Sequence, residues 1–272
     1  MLLQFNAPSD NTLKKEPAQF QRISRRLGKE LEMASNRILI IQTAFIGDVI
    51  LATPLIEKLR QYYPAARIDF LVRKGHEPLF TDSPQLNHVF TWDKGSAKYL
   101  QLLQLTRKIR GQHYDCVINL QRFTATGLLT ALSGARHRIG FSRNPLAMFF
   151  TRRIPHRMEA GVHEIDRNLA LVAHMTGPGR PMPRLYPSKE TFEKIRPYQQ
   201  GPYLTIAPAS IWYTKQYPLE KWIAFIRALD PDERIFLLGS RQDAGVCRQI
   251  TAASRNRQLV NLAGKLTLLG SA

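Results

Sequence analysis

The chain has 272 residues and only two cysteines, Cys116 and Cys247, which leaves no basis for a disulfide framework or a cysteine zinc site. A reducing cytosol is the compartment this usage predicts. No apolar run approaches the roughly 20 residues needed to cross a bilayer; the longest are of strand length. Residues 1 to 35 mix Lys14, Lys15, Arg22, Arg25 and Arg26 with acids, so the apolar core of a signal peptide is missing as well. Neither G-x-G-x-x-G nor G-x-x-x-x-G-K-[ST] occurs, which argues against the usual dinucleotide and P-loop sites. Acidic side chains are scarce: 21 Asp and Glu stand against 39 Lys and Arg, a formal charge of +18. That excess favours a polyanionic partner, whether nucleic acid, an anionic membrane surface, or a phosphorylated or acidic substrate.

What is present is core material, 44% hydrophobic, in an ordered rhythm. Residues 1–35 form an extension in which Phe20, Ile23, Leu27 and Leu31 recur at helical spacing with a basic opposite face. This predicts an amphipathic helix, packed on the protein or lying on a membrane surface. From Arg37 strand-like runs ("RILIIQ", "ARIDFLV", "DCVINL") alternate with helical stretches, including those built on Leu102, Leu105 and Ile109 and on Ile165, Leu169 and Val172. Strands apolar throughout and separated by helices imply a parallel sheet covered on both faces. The Pro- and Gly-rich "MTGPGRPMPRLYP" interrupts the rhythm, which restarts at "YLTIAP" and continues through "LEKWIAFIRAL", "RIFLLG" and "RQLVNLAG". The predicted organisation is an α/β fold with a Rossmann-like domain over 36–176, a linker over 177–200 and a second, incomplete Rossmann-like domain over 201–272.

Two loops carry the chemistry. Ligands of open α/β sheets bind beyond the carboxyl ends of the strands, and "TAFIGDV" follows the first strand, placing Asp48 there with Gly47 allowing close approach. Asp48 is readable either as a helix-capping residue or as a reactive carboxylate. Pro54 leaves the helix start open: near Asp48 with a kink, or near Thr53 as cap with Pro54 at the first position. The second loop, "IAPASIWYTKQYPLEKW", has small residues after a strand, with Ser210, Thr214 and Lys215 offering hydroxyls and a positive charge suited to phosphate. Its plainer reading is a surface loop with Trp212 and Tyr213 packed between domains.

"RILIIQTAFIGDVILATPLIEKLRQYYPAARIDFLV", "APASIWYTKQYPLEKW" and "NLAGKLTL" together resemble glycosyltransferase family 9, the ADP-heptose lipopolysaccharide heptosyltransferases, over most of the chain from about residue 37. The resemblance implies two Rossmann-like domains facing across a cleft, of GT-B type. It also implies an ADP-L-glycero-β-D-manno-heptose donor, a lipopolysaccharide inner-core acceptor, inversion at the anomeric carbon, and no cofactor or metal. Asp48 falls on the family's catalytic base, and Lys215 on the lysine that offsets charge on the leaving diphosphate, with Ser210 and Thr214 as donor-side hydroxyls. Asp243, in "LLGSRQDAG", is the candidate for the nucleotide ribose or else a cap.

For the anionic acceptor the reading selects Arg73, Arg122 and Arg143, the last from a region that also holds Arg136, Arg138, Arg152, Arg153 and Arg157. His163 and Arg167, in "GVHEIDRNL", read as structural. The same resemblance implies a peripheral enzyme at the cytoplasmic face of the inner membrane, touching its anionic surface, with nucleic acid not an expected partner. The family's D-[ST]-G-x-x-H segment does not occur after Asn261. The expectation is therefore a C-terminally truncated form, with a noncatalytic anionic-glycolipid or membrane-surface binder as the alternative.

Overall fold

Every position of Arg37–Ile41 after the arginine is apolar and fully buried, forming strand β1 at the centre of a sheet. The computed structural model describes residues 37–95 and 98–272; the helix expected around Phe20 to Leu31 lies outside them. After β1 come two short helices, α1 (Ile46–Ile50) and α2 (Thr53–Tyr62), then β2 (Arg67–Arg73) and β3 (His88–Trp92). Helix α3 (Lys98–Arg110) leads to β4 (Cys116–Asn119), α4 (Thr124–Leu132), β5 (His137–Phe141), β6 (Arg152–Ile154) and α5 (Glu164–Ala170). The strands pair in the order β3-β2-β1-β4-β5-β6, all parallel.

This order has one reversal point. From β1 the chain builds outward to β3, crosses back through α3, and builds the other way from β4, so the crevice between the ends of β1 and β4 is the natural ligand position. Both sheet faces are covered: Leu39, Leu71 and Phe90 pack with Leu102, Leu105 and Ile109 of α3 in one cluster. Cys116, Val117 and Ile118 of β4 have no exposed surface.

The helix start left open by Pro54 resolves into two helices. Asp48 is the third residue of α1, and its Oδ2 accepts the Phe45 N–H at 3.2 Å. Pro54 sits in the first turn of α2, where its missing N–H costs no hydrogen bond. Thr53 is already helical and donates its hydroxyl to Ile50 O at 2.8 Å. Strands β5 and β6 fall in the arginine-rich stretch from which the sequence selects Arg143. β6 is an edge strand whose Arg152 and Arg153 are exposed, a common protection of open sheet edges.

A second compact unit comprises Leu185–Ala272 together with Gly75–Pro84. The boundary between Arg184 and Leu185 falls within the segment expected as a linker, and that segment also holds helix α6 (Lys189–Ile195). Ser188 caps α6, its Oγ accepting Thr191 N–H at 3.1 Å. There follow β7 (Leu204–Ile206), α7 (Leu219–Arg227), β8 (Ile235–Leu237), α8 (Ala244–Ala253), β9 (Leu259–Asn261) and α9 (Leu268–Ser271). The three strands are parallel in the order β7-β8-β9. Ile206, Ile226, Ile235, Leu237, Cys247 and Ile250 make their core.

Candidate active site

Beyond the carboxyl ends of β1, β2 and β4 the first unit has a cleft of about 410 Å³. Its floor is the chain leaving β1 and β4: Gln42, Thr43 and Ala44 on one side, Leu120 and Gln121 on the other. Backbone bonds carry the ladder into this floor, with Gln42 N–H donating to Leu71 O at 3.0 Å and Leu120 N–H to Ile41 O at 3.0 Å. Asp48 enters from α1, Arg73 from the last position of β2, Arg122 from just after β4, and Glu164 and Arg167 from α5. Four cationic side chains, Arg73, Lys94, Arg122 and Arg167, meet two carboxylates, Asp48 and Glu164. The balance suits an anionic ligand brought to one carboxylate.

The cations are not equivalent. Lys94 donates to Thr43 O at 2.7 Å and lies 5.0 Å from the centroid of the Trp92 ring, so it braces the floor. Arg167 pairs with Glu164 and donates to Val162 O at 2.8 Å, while its Nε is buried without a partner. Arg73 and Arg122 are exposed at the rim, and the Arg122 head donates to Met158 Sδ at 3.9 Å. His156 also lines the cleft, its ring edge-on to Phe141 at 4.6 Å between centroids. Burial, with Arg122 and Arg167 nearby, holds its imidazole below the ordinary histidine pKa and so favours the neutral form.

Of the sequence-selected residues, Asp48, Arg73 and Arg122 come together here. Arg143 does not line the cleft; it is exposed on the loop after β5. Arg167, read from sequence as structural, does line it, whereas His163 is the cap of α5, its Nδ1 accepting Ile165 N–H at 3.2 Å. Gln42, Thr43, Lys94, Gln121, His156 and Glu164 were not anticipated. The signal for Thr43 and Gln121 was register: both stand two residues past the paired ends Ile41 and Asn119.

In the second unit the remaining candidates lie beyond β7 and β8. Ser210 Oγ accepts Trp212 N–H at 3.2 Å and Ser210 O accepts from Gln216 Nε2 at 2.8 Å, closing the loop on itself. Thr214 and Lys215 sit on its one-turn 3-10 helix, Tyr213–Lys215, and are exposed. Asp243 immediately precedes α8, but its carboxylate turns back: Oδ2 accepts both Ser240 N–H and Ser240 Oγ–H at 2.7 Å. The loops after β8 and β9 touch through Gly264 N–H to Gly239 O at 2.9 Å. Gly264 has φ of +74°, and a Cβ there would strike Arg241, so a side chain is excluded twice over.

Comparison with known proteins bears on the fold and the family. The family described as glycosyltransferase family 9 (heptosyltransferase) matches residues 102–272. Lipopolysaccharide heptosyltransferase 3 of Escherichia coli K12 is 32% identical over 135 residues, covering 46% of this chain and 38% of that protein. Lipopolysaccharide heptosyltransferase 1 of the same strain is 26% identical over 208 residues, covering 71% of this chain and 64% of the relative. The chain thus spans less than two thirds of each. A family 9 glycosyltransferase structure from Veillonella parvula superposes with a TM-score of 0.75 at 18% identity, over 86% of this chain and 72% of that one. The family match over residues 102–272, more than half of the chain, carries one conclusion: this chain belongs to glycosyltransferase family 9, the heptosyltransferase family.

Proposed function

We propose that this protein serves heptose transfer from ADP-heptose to a hydroxyl of the lipopolysaccharide inner core, with inversion at the anomeric carbon. The observation that carries the reading is Asp48 at the β1/β4 crevice, a carboxylate among cations in a chain of this family. In this mechanism Asp48 accepts the proton of the acceptor hydroxyl as that oxygen attacks the anomeric carbon and the bond to the diphosphate breaks. Arg73 and Arg122 hold anionic groups of the acceptor at the rim, with guanidinium forks suited to carboxylate and phosphate. Lys215 offsets charge on the departing diphosphate, with Ser210 and Thr214 donating beside it and Asp243 offering the ribose the oxygen that Ser240 does not hold. Charge neutralisation by Lys215 asks for no metal. The acceptor's lipid would bring the enzyme to the anionic cytoplasmic face of the inner membrane; no helix among the described residues is long and apolar enough to cross it.

Asp48→Asn tests the base. Asparagine keeps an oxygen for the Phe45 N–H, so α1 should start as before. Transfer from ADP-heptose to a deacylated inner-core acceptor, followed by mass spectrometry, should fall about 10²- to 10⁴-fold while acceptor binding persists. Undiminished transfer by the variant removes Asp48 from the role. Acceptor binding by the wild-type chain without any transfer would favour a noncatalytic glycolipid binder instead.

A further inference from the structure

The floor of the cleft holds two carboxamides whose oxygens are occupied and whose NH2 groups are not. Gln42 and Gln121 are 3% and 4% exposed, as buried as core residues. Thr43 Oγ1–H donates to Gln121 Oε1 at 2.7 Å, and Ala44 N–H donates to Gln42 Oε1 at 3.3 Å. Neither Nε2 has a partner among the described residues, yet neither is sealed among the buried unsatisfied atoms. Both residues line the cleft, so the cleft is where these donors open. A primary amide has two N–H donors, and in both residues these are left for water or a ligand in the cleft.

Gln121 is held at every other polar atom. Its N–H donates to Asn119 Oδ1 at 2.9 Å, and its carbonyl accepts from Asn144 Nδ2 at 3.1 Å. Thr43, which orients the amide, is itself fixed by Lys94 Nζ on its carbonyl at 2.7 Å. A side chain fastened this way and left with one open face is arranged for a ligand.

We propose that Gln121, oriented by Thr43, is a specificity-determining residue that donates from Nε2 to a ring hydroxyl oxygen of the acceptor sugar, with Gln42 as a second donor of the same kind. The inference rests on the acceptor reading of this cleft. Its chemistry is complementary to that of Asp48: a carboxylate takes a proton from one hydroxyl, while a neutral amide donor fixes the oxygen of another. Anionic groups belong to the guanidinium forks at the rim; a neutral donor reads the presence and configuration of a hydroxyl. Thr43 acts through Gln121 and is a positioning residue.

The test is titration of the full chain with a deacylated inner-core acceptor, read by calorimetry and by the side-chain amide resonances of 15N-labelled protein. In the wild type the Gln121 NH2 resonance should move on binding, a readout that needs no variant. Gln121→Ala should weaken binding about three- to tenfold, the usual worth of one net hydrogen bond. Thr43→Val, which removes the orienting hydroxyl at constant shape, should do the same, and Thr43→Ser should restore affinity. An acceptor lacking the hydroxyl that Gln121 reads should lose affinity for the wild type and not for Gln121→Ala. Wild-type binding with an unmoved amide resonance, and with Gln121→Ala and Thr43→Val binding as tightly, overturns the inference while leaving the acceptor reading intact. Failure of the wild type to bind this acceptor overturns both.

Discussion

Gly127 lies in α4, where alanine would ordinarily be the better helix former by about 1 kcal/mol. Here Gly127→Ala should be destabilising. A Cβ at this position would overlap Asn144 Oδ1 and stand 3.0 Å from its Cγ and 3.1 Å from its Nδ2. Asn144 is 3% exposed and makes three bonds: Nδ2 to Gln121 O and to Phe123 O, both at 3.1 Å, and Oδ1 from Leu146 N–H at 2.9 Å. Displacing it forfeits about 3 kcal/mol at about 1 kcal/mol per bond. Set against the helix gain, the net loss is about 2 kcal/mol. Urea denaturation followed by Trp92 fluorescence reports on this unit, once Trp212 and Trp222 are replaced by Phe. In an Asn144→Ala background the obstacle is gone, so the same Gly127→Ala change should become stabilising by up to about 1 kcal/mol. Loss of stability in both backgrounds would refute the account. Gly47→Ala is the contrast: nothing stands within 4 Å of its added Cβ, so stability should hold or rise while any ligand that approaches that backbone is hindered.

Two further outcomes follow from buried titratable groups. Tyr114 donates to Asp69 Oδ2 at 2.6 Å, and Asp69, fully buried, is otherwise met by Arg67 Nε at 3.1 Å; Tyr114→Phe should therefore cost about 1.5–3 kcal/mol in urea denaturation. Burial first, then the bond to Asp69, raises the Tyr114 phenol above its ordinary pKa. Its contribution is thus fully present below pH ~10 and is lost as pH rises beyond that, a decline that Tyr114→Phe should lessen. Burial, with Asp115 adding to it, pushes the Cys116 thiol up to about 12, and Cys247 is buried and raised as well. Native protein at pH 8 should give no reaction with a disulfide reagent and two thiols after unfolding; prompt native labelling of Cys116 would contradict its position in β4.

Sequence reading reached the apolar strands and the helices with regular spacing because burial on both faces forces composition in a parallel sheet, as in β1, β2 and β4. It passed over β3, at one edge, and over β5 and β6 toward the other, where arginines disguise strand character. It left Pro54 undecided because propensity cannot show that the chain makes two helices with a joint at Leu51 and Ala52. Among site residues, the loop after the first strand marked Asp48 and charge marked Arg73 and Arg122, but charge was equally strong at Arg143, which lies outside the cleft. Helix spacing made Arg167 and His163 look alike, and only the fold separates a cleft residue from a cap. Neutral groups left no mark at all: Gln42 and Gln121 matter through the pairing of two distant strands, which composition does not encode.

That pairing also sets an order of assembly. β1 can join β2 when about 30 residues of spacing have emerged, but the Thr43 and Gln121 contact closes a separation of 78 residues. Loop entropy delays such contacts, and parallel sheets of this kind fold slowly for that reason. During synthesis the half of the sheet that carries Arg73 can therefore settle first, and the crevice acquires its floor only after α3 has crossed over and β4 has docked. Until then β1 presents an open, apolar edge, so the ribosome-bound chain is most exposed to mispairing in the interval between β3 and β4.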